Sequence, residues 1–205
     1  LNLTMTGLNF YGRIQILKKE RKNMAENPGK KFERQFKLSV PDFCLLIRLN
    51  DPPQSFTKSE TTRFSVKNPC DFLMFDSMSR TLYCLELKTT KFKSMSFEDI
   101  TSDKEQNKMI HKHQILSLNG FSNFKNIISG FILNFRDDDK GIERTYFQNI
   151  TDFNVMCRKI KKSSFNEADL LRNGNAVKIS GTKKRVNYLW NIEEFLKTLH
   201  QEEIV

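Results

Sequence analysis

The stretch that decides the fold is Asn68-Pro69-Cys70-Asp71-Phe72-Leu73-Met74-Phe75-Asp76-Ser77-Met78-Ser79-Arg80-Thr81-Leu82-Tyr83-Cys84-Leu85-Glu86-Leu87-Lys88. Two runs with strand character, residues 69–76 and 81–90, flank the turn-like Ser77-Met78-Ser79-Arg80, which predicts a β-hairpin. If those four residues form the loop, Asp76 pairs with Thr81, and counting back from that pair sets Asp71 opposite Glu86. Cross-strand partners lie about 5 Å apart at Cβ. Within the second strand Glu86 and Lys88 are two apart and share a face, while Leu85 and Leu87 point the other way, towards covering helices. The spacing predicts two carboxylates on one face with an ammonium one pleat further on.

Two carboxylates that close raise one another's pKa unless a cation sits between them. Oxygen donors of this kind suit Mg²⁺, or Mn²⁺ in its place, with water and substrate phosphate completing the shell. Such a metal polarises a scissile phosphate and helps generate hydroxide, and a neighbouring lysine stabilises the developing charge. The pattern therefore suits metal-assisted phosphodiester hydrolysis. A salt-bridged surface face has the same D…ExK letters and is the commoner origin of them, contributing little to stability. The neighbours shift the balance: Leu82 and Cys84 share the face, and Pro69, Cys70, Leu85 and Leu87 flank the charges.

Working outward, Asn27-Pro28 gives an N-cap followed by proline at the first helical position, and Phe32 and Phe36 form an apolar stripe, so 28–39 reads as a helix. Residues 50–67 read as a polar excursion. Residues 104–119 have helical periodicity through Met109, Ile110, His113 and Leu116, with Gly120 as a stop. Ile127 to Phe135 is nearly all apolar, as in a strand buried on both faces, and a further strand is expected at 143–149. Thr151 can cap a helix, Ser164-x-x-Glu167 fits a capping box, and a last amphipathic helix is expected from about 190 to 199. The alternation predicts an α/β or α+β domain around a mixed central sheet. Residues 1–26 read as an N-terminal extension, with Met24 an alternative start and an ordinary N-terminal helix the other reading, and residues 27–205 as one domain.

The chain has 205 residues, a net charge of +10 and 38% apolar residues, with a pI near 9.5 and a mean hydropathy of −0.54. No run approaches the roughly 18 apolar residues of a bilayer span, and the first residues lack the features of a signal peptide. Cys44, Cys70, Cys84 and Cys157 have no metal-like spacing and read as reduced thiols. Membrane span, secretion and zinc finger are excluded on these grounds, and a cytoplasmic location is expected. The positive charge points to a polyanionic partner, nucleic acid or an acidic surface. Eighteen Phe against one Trp, with much Lys and Asn, hints at an AT-rich coding sequence of a low-GC bacterium or its phage.

Taken in order, Gly29-x-x-Phe32-Glu33, Pro69-x-Asp71, Glu86-x-Lys88 and His113-Gln114 resemble the RecU family of Holliday junction resolvases, in the PD-(D/E)XK nuclease superfamily. The resemblance runs through Tyr146-Phe147 to the segment Arg185-Val186-Asn187-Tyr188-Leu189. It implies a restriction-endonuclease-like fold with a protruding stalk, a homodimer, and a Mg²⁺-dependent endonuclease that resolves four-way DNA junctions by paired symmetric nicks, with no nucleotide cofactor. By the same resemblance Asp71, Glu86 and Gln114 lie at the metal, Lys88 stabilises the transition state, and Glu33 helps complete the site. Where the family carries Thr two residues before the metal-binding Asp, this chain has Pro69, which offers only a backbone carbonyl. Residues 50–67 occupy the place of the stalk, so Lys58, Arg63 and Lys67 are the cations expected nearest a junction. Phe56 and Phe64 in the same segment could stack on a base.

His111 and His113, two apart on an expected helix, do not face one another and so do not suggest zinc. Lys159, Lys161 and Lys162, with Lys183, Lys184 and Arg185, form either a solvated basic face or phosphate contacts. Two other functions fit the composition: a PD-(D/E)XK nuclease for other DNA structures, and a DNA-binding recombination accessory protein without catalysis.

Overall fold

A computed structural model of the chain describes residues 26–49, 68–102 and 106–202. Its centre is a six-stranded mixed sheet. The strands are β1 (Cys44–Arg48), β2 (Phe72–Asp76), β3 (Thr81–Thr90), β5 (Ile127–Asp137), β6 (Ile142–Asn149) and β8 (Val177–Ile179), adjacent in that order. The β2–β3 hairpin has the expected register, from Phe72↔Leu85 to Asp76↔Thr81. A crossover then brings β5 alongside β3 in parallel, Glu86 opposite Phe131 and Lys88 opposite Leu133. The other pairings in this sheet are antiparallel.

Helices cover both faces. On one lie α1 (Pro28–Ser39) and α5 (Ile192–Glu202), with the hairpin of β9 (Gly181–Lys184) and β10 (Asn187–Trp190). Phe32 and Phe36 of α1 and Phe195, Leu196 and Leu199 of α5 pack there against Leu85, Leu87 and Ile132. Asn27 accepts from the Gly29 N–H at 2.9 Å, capping α1 as the sequence signals. Each fully buried Phe or Leu contributes about 1.5–3 kcal/mol relative to exposure.

The opposite face is covered by α2 (Lys112–Phe121), α3 (Ile150–Ile160) and α4 (Glu167–Asn173), with the small ladder of β4 (Ser94–Ser96) and β7 (Ser164–Asn166). Its core holds Cys84, Phe131, Leu133, Ile115, Leu118, Phe153 and Met156. Among the described residues no helix is long and apolar enough to cross a membrane.

Several local expectations are corrected. The helix of residues 104–119 begins only at Lys112, because Ile110 is spent on a parallel bridge to Phe97 and His111 becomes the N-cap, and it runs through Gly120, the expected stop, to Phe121 with Ser122 as its C-cap. The cap of α3 is Asn149, whose side chain accepts from the Thr151 N–H at 2.9 Å, rather than Thr151. The capping box is Asn166 with Asp169, because Ser164 is paired with Ser96 in the small ladder and Glu167 is turned to Arg144 and Tyr146. The hairpin strand expected from residue 69 begins at Phe72, and β1, β4 and β7–β10 are additional to the expected strands.

Candidate active site

Glu86 stands in the middle of β3, on the face that also carries Cys84, and is only 4% exposed. A carboxylate is costly to bury without compensation. Two groups supply it here. Lys88 Nζ lies 3.0 Å from Glu86 Oε1, and Gln114 donates through Nε2 to the same oxygen. The expected pairing of Glu86 and Lys88 on one face is therefore present, and the ion pair is largely sheltered from water.

Gln114 is fixed from two sides. It is the third residue of α2, and its Oε1 accepts from the His111 N–H at 3.0 Å, half of a capping box. With the oxygen committed to a main-chain donor, the amide nitrogen faces Glu86. Exchanging the two amide atoms would oppose donor to donor and acceptor to acceptor, so both neighbours dictate this orientation. Gln114 is thus brought to Glu86, and it presents a donor to that carboxylate rather than an oxygen to a cation.

Asp71 sits one residue before β2. Its N–H donates to the Leu85 carbonyl at 3.1 Å, and its Oδ2 accepts from the Leu87 N–H at 2.8 Å. The carboxylate thus takes up a donor on β3 between Glu86 and Lys88. Burial pushes the Asp71 carboxyl above its ordinary value, against the Leu87 hydrogen bond and the Lys88 charge, while Glu33 pushes it further up and Arg48 down. Glu33, on α1, is bound to Arg48 at the end of β1, Nε to Oε2 2.6 Å. It reaches Asp71 as a neighbouring charge; its own hydrogen-bond partner is Arg48.

The floor beneath these groups is sulfur. Cys70 and Cys84 are both buried, and the hydrogen bond to Cys84, then burial, push the Cys70 thiol up. None of the four cysteines is in a disulfide. Beside the site the rings of His111 and His113 stack at 5.6 Å with 16° between planes. This corrects the helical-spacing argument: His111 lies outside the helix, so its ring can turn onto that of His113. His111 Nδ1 is 3.1 Å from Glu98 Oε1, whose other oxygen accepts from the Lys112 N–H at 2.6 Å. Glu98 and Arg48 carry no local signal in the sequence. Both meet their partners through tertiary contacts that local patterns do not encode.

The donor set can be judged on its chemistry. Among the described residues no group of three or more His, Cys, Asp or Glu side chains is placed to hold a metal ion. Two hard carboxylates, one opposed by burial and one held beside a lysine, suit a cation that completes its shell with water and phosphate. That is the oxygen-donor chemistry of Mg²⁺ sites, whereas zinc sites draw on histidine and thiolate.

Lys58, Arg63 and Lys67, with Phe56 and Phe64, lie outside the described residues. Lys159, Lys161 and Lys162 are exposed at the end of α3, whose apolar side faces one core, and Lys183, Lys184 and Arg185 are exposed on the β9–β10 hairpin, which packs on the other. The two basic groups therefore belong to opposite layers and do not form one patch.

Comparison with known proteins adds one relative. The "SPbeta prophage-derived uncharacterized protein YotM" of Bacillus subtilis (strain 168) is 30% identical over 190 residues, which cover 87% of this chain and 90% of that protein. The chain belongs to the family of that prophage protein. No family model matches it. The aligned length spans nearly the whole of both chains, so the kinship extends well beyond the hairpin to the helices on both faces.

Proposed function

We propose that the chain is a Mg²⁺-dependent structure-specific DNA endonuclease of the RecU type, with a restriction-endonuclease-like PD-(D/E)XK fold. The observation that carries this reading is the buried Glu86, two residues from Lys88 and in ion-pair contact with it, on a strand whose hairpin partner delivers Asp71 to the Leu87 N–H. A polar trio embedded in an apolar sheet is costly for stability alone, which supports a catalytic use. The mixed sheet with helices on both faces is compatible with that superfamily, and the net charge of +10 suits a DNA substrate.

Asp71 and Glu86 would hold the cation, for which Mn²⁺ can substitute. When bound, Mg²⁺ supplies positive charge at the scissile phosphate and acidifies a ligated water. The protein's own groups do the rest. Gln114 fixes the rotamer of Glu86 through the N-terminus of α2. Leu87 N–H orients Asp71. Lys88, held beside Glu86, offers its ammonium to the charge that develops on the phosphoryl oxygens. The pair Glu33–Arg48 adds two smaller, opposing charges to the field at Asp71, behind burial, the Leu87 N–H and Lys88.

Paired nicks in a two-fold-symmetric junction need two such sites, so the working species is a homodimer. A related reading, a nuclease for other DNA structures, draws on residues 50–67, a segment shorter than the stalk of the family it resembles. Competition between a four-way junction and linear duplex separates the two. The metal claim is tested by calorimetric titration of Mn²⁺ into the wild type and Glu86→Ala. A saturable heat lost in the variant is expected, and equal heats in both contradict a nuclease.

A further inference from the structure

We propose that the turn Lys91-Phe92-Lys93 is a DNA-strand holder next to the catalytic strand, with Phe92 stacking on a base and the two lysines on flanking phosphates; this rests on the nuclease reading above. The turn follows β3 directly, so Lys91 is three residues beyond Lys88, about 10 Å along an extended chain. That is about three base-pair rises along a duplex axis.

Phe92 is 66% exposed, yet its backbone is anchored. The hydroxyl of Thr90, a residue 2% exposed, accepts from the Phe92 N–H at 3.1 Å. On the other side the chain enters the β4–β7 ladder at Ser94↔Asn166. A large aromatic ring is thus displayed to solvent from a turn clamped at both ends, where little conformational freedom is lost on stacking. Lys91 Nζ lies 5.7 Å from the centroid of that ring, and neither Lys91 nor Lys93 is in an ion pair among the described residues.

The turn lines an open groove of about 680 Å³. Phe135 and Arg144 line it too, and Phe135 belongs to the core on the Glu86 face, so the groove opens on the side of the sheet that carries the candidate site. Asp137 to Asp139 and Glu167 line it as well, but Asp137 is paired with Lys140 at 3.6 Å, Asp138 with Arg136 at 2.9 Å and Glu167 with Arg144 at 2.8 Å. Those pairs offset the acidic charge, and Lys91 and Lys93 are left to attract a phosphate chain. Alternating cation, aromatic and cation on a rigid turn is the chemistry that recognises a nucleic-acid strand through its backbone and the face of a base.

The test uses the full chain and fluorescein-labelled DNA, a four-way junction and a 20-nucleotide single strand, with binding read by anisotropy in EDTA so that no cutting intervenes. Phe92→Ala should weaken binding about 5- to 100-fold on at least one of the two DNAs, and Phe92→Trp should restore it. Lys91→Ala with Lys93→Ala should lower the salt slope by between one and two. Wild-type binding by Phe92→Ala on both DNAs overturns the proposal, as does failure of Phe92→Trp to restore a loss. If Phe92→Ala binds normally while the wild type cuts DNA, only the strand holder falls. If Phe92→Ala binds weakly and the wild type cuts nothing, only the nuclease reading falls.

Discussion

Glu86 and Lys88 are the residues on which the rest turns, and their coupling is measurable without any substrate. Removing one partner of a sheltered ion pair strands the other, which costs about 3–5 kcal/mol when burial is complete and less here, because 16% of the Lys88 side chain is exposed. Glu86→Ala and Lys88→Ala should each lose about 2–4 kcal/mol in urea unfolding, and the double variant should lose clearly less than the sum of the two. Strict additivity contradicts the contact. At the far end of β2, Asp76 shows the opposite balance. Burial opposes its ionisation, but hydrogen bonds from Ser79, the Met78 N–H and His200 outweigh it and hold the carboxyl below its ordinary value. A depressed carboxyl contributes stability that is present above the unfolded-state value of about 3.8 and lost as pH falls through the lower folded-state value. Asp76→Asn should therefore cost about 2 kcal/mol at pH 7, and the gap from wild type should narrow as pH falls below the unfolded-state value of Asp76.

Elements were legible from the sequence wherever the signal was local. The register of the β2–β3 hairpin followed from a four-residue turn, and α1 from its Asn-Pro cap and Phe stripe. The failures share a cause. His111, Asn149 and Asn166 cap helices because of where a strand or bridge lets go of the chain, and those limits depend on partners such as Phe97 and Ser96. The three-residue strands β4, β7 and β8 carry too few residues to show a period of two. In the candidate site, Asp71, Glu86 and Lys88 were readable because alternation places them, whereas the amide orientation of Gln114 and the partners Arg48 and Glu98 needed the packed structure. Close packing at the centre gives a further test. A Cβ on Gly130 of β5 would collide with the Gln148 carbonyl and the Phe147 ring. Gly130→Ala should cost about 1–3 kcal/mol, read as a fall of several degrees in Tm, and an unchanged Tm contradicts the β5–β6 contact.

At the scale of the whole molecule, charge and symmetry set the expectations. A net charge of +10 should give DNA binding that weakens steeply with salt, log K falling linearly with log salt with a slope of about −0.9 per phosphate neutralised. A slope near zero contradicts a backbone-binding role. The cations split between α3 and the β9–β10 hairpin lie in different layers, and under the strand-holder proposal Lys91 and Lys93 supply part of the charge that faces the substrate. Homodimerisation should appear in sedimentation as a species of about twice the chain mass of 24.1 kDa, and a monomer at all concentrations contradicts paired nicking by two identical sites. The most direct measurement is cleavage of an end-labelled synthetic four-way junction, beside linear duplex of matching arms, with Mg²⁺ or EDTA and with Lys88→Ala run in parallel. The account predicts paired symmetric nicks on the junction, absent in EDTA and in the variant; binding of the junction with no cutting in either Mg²⁺ or Mn²⁺ would contradict it.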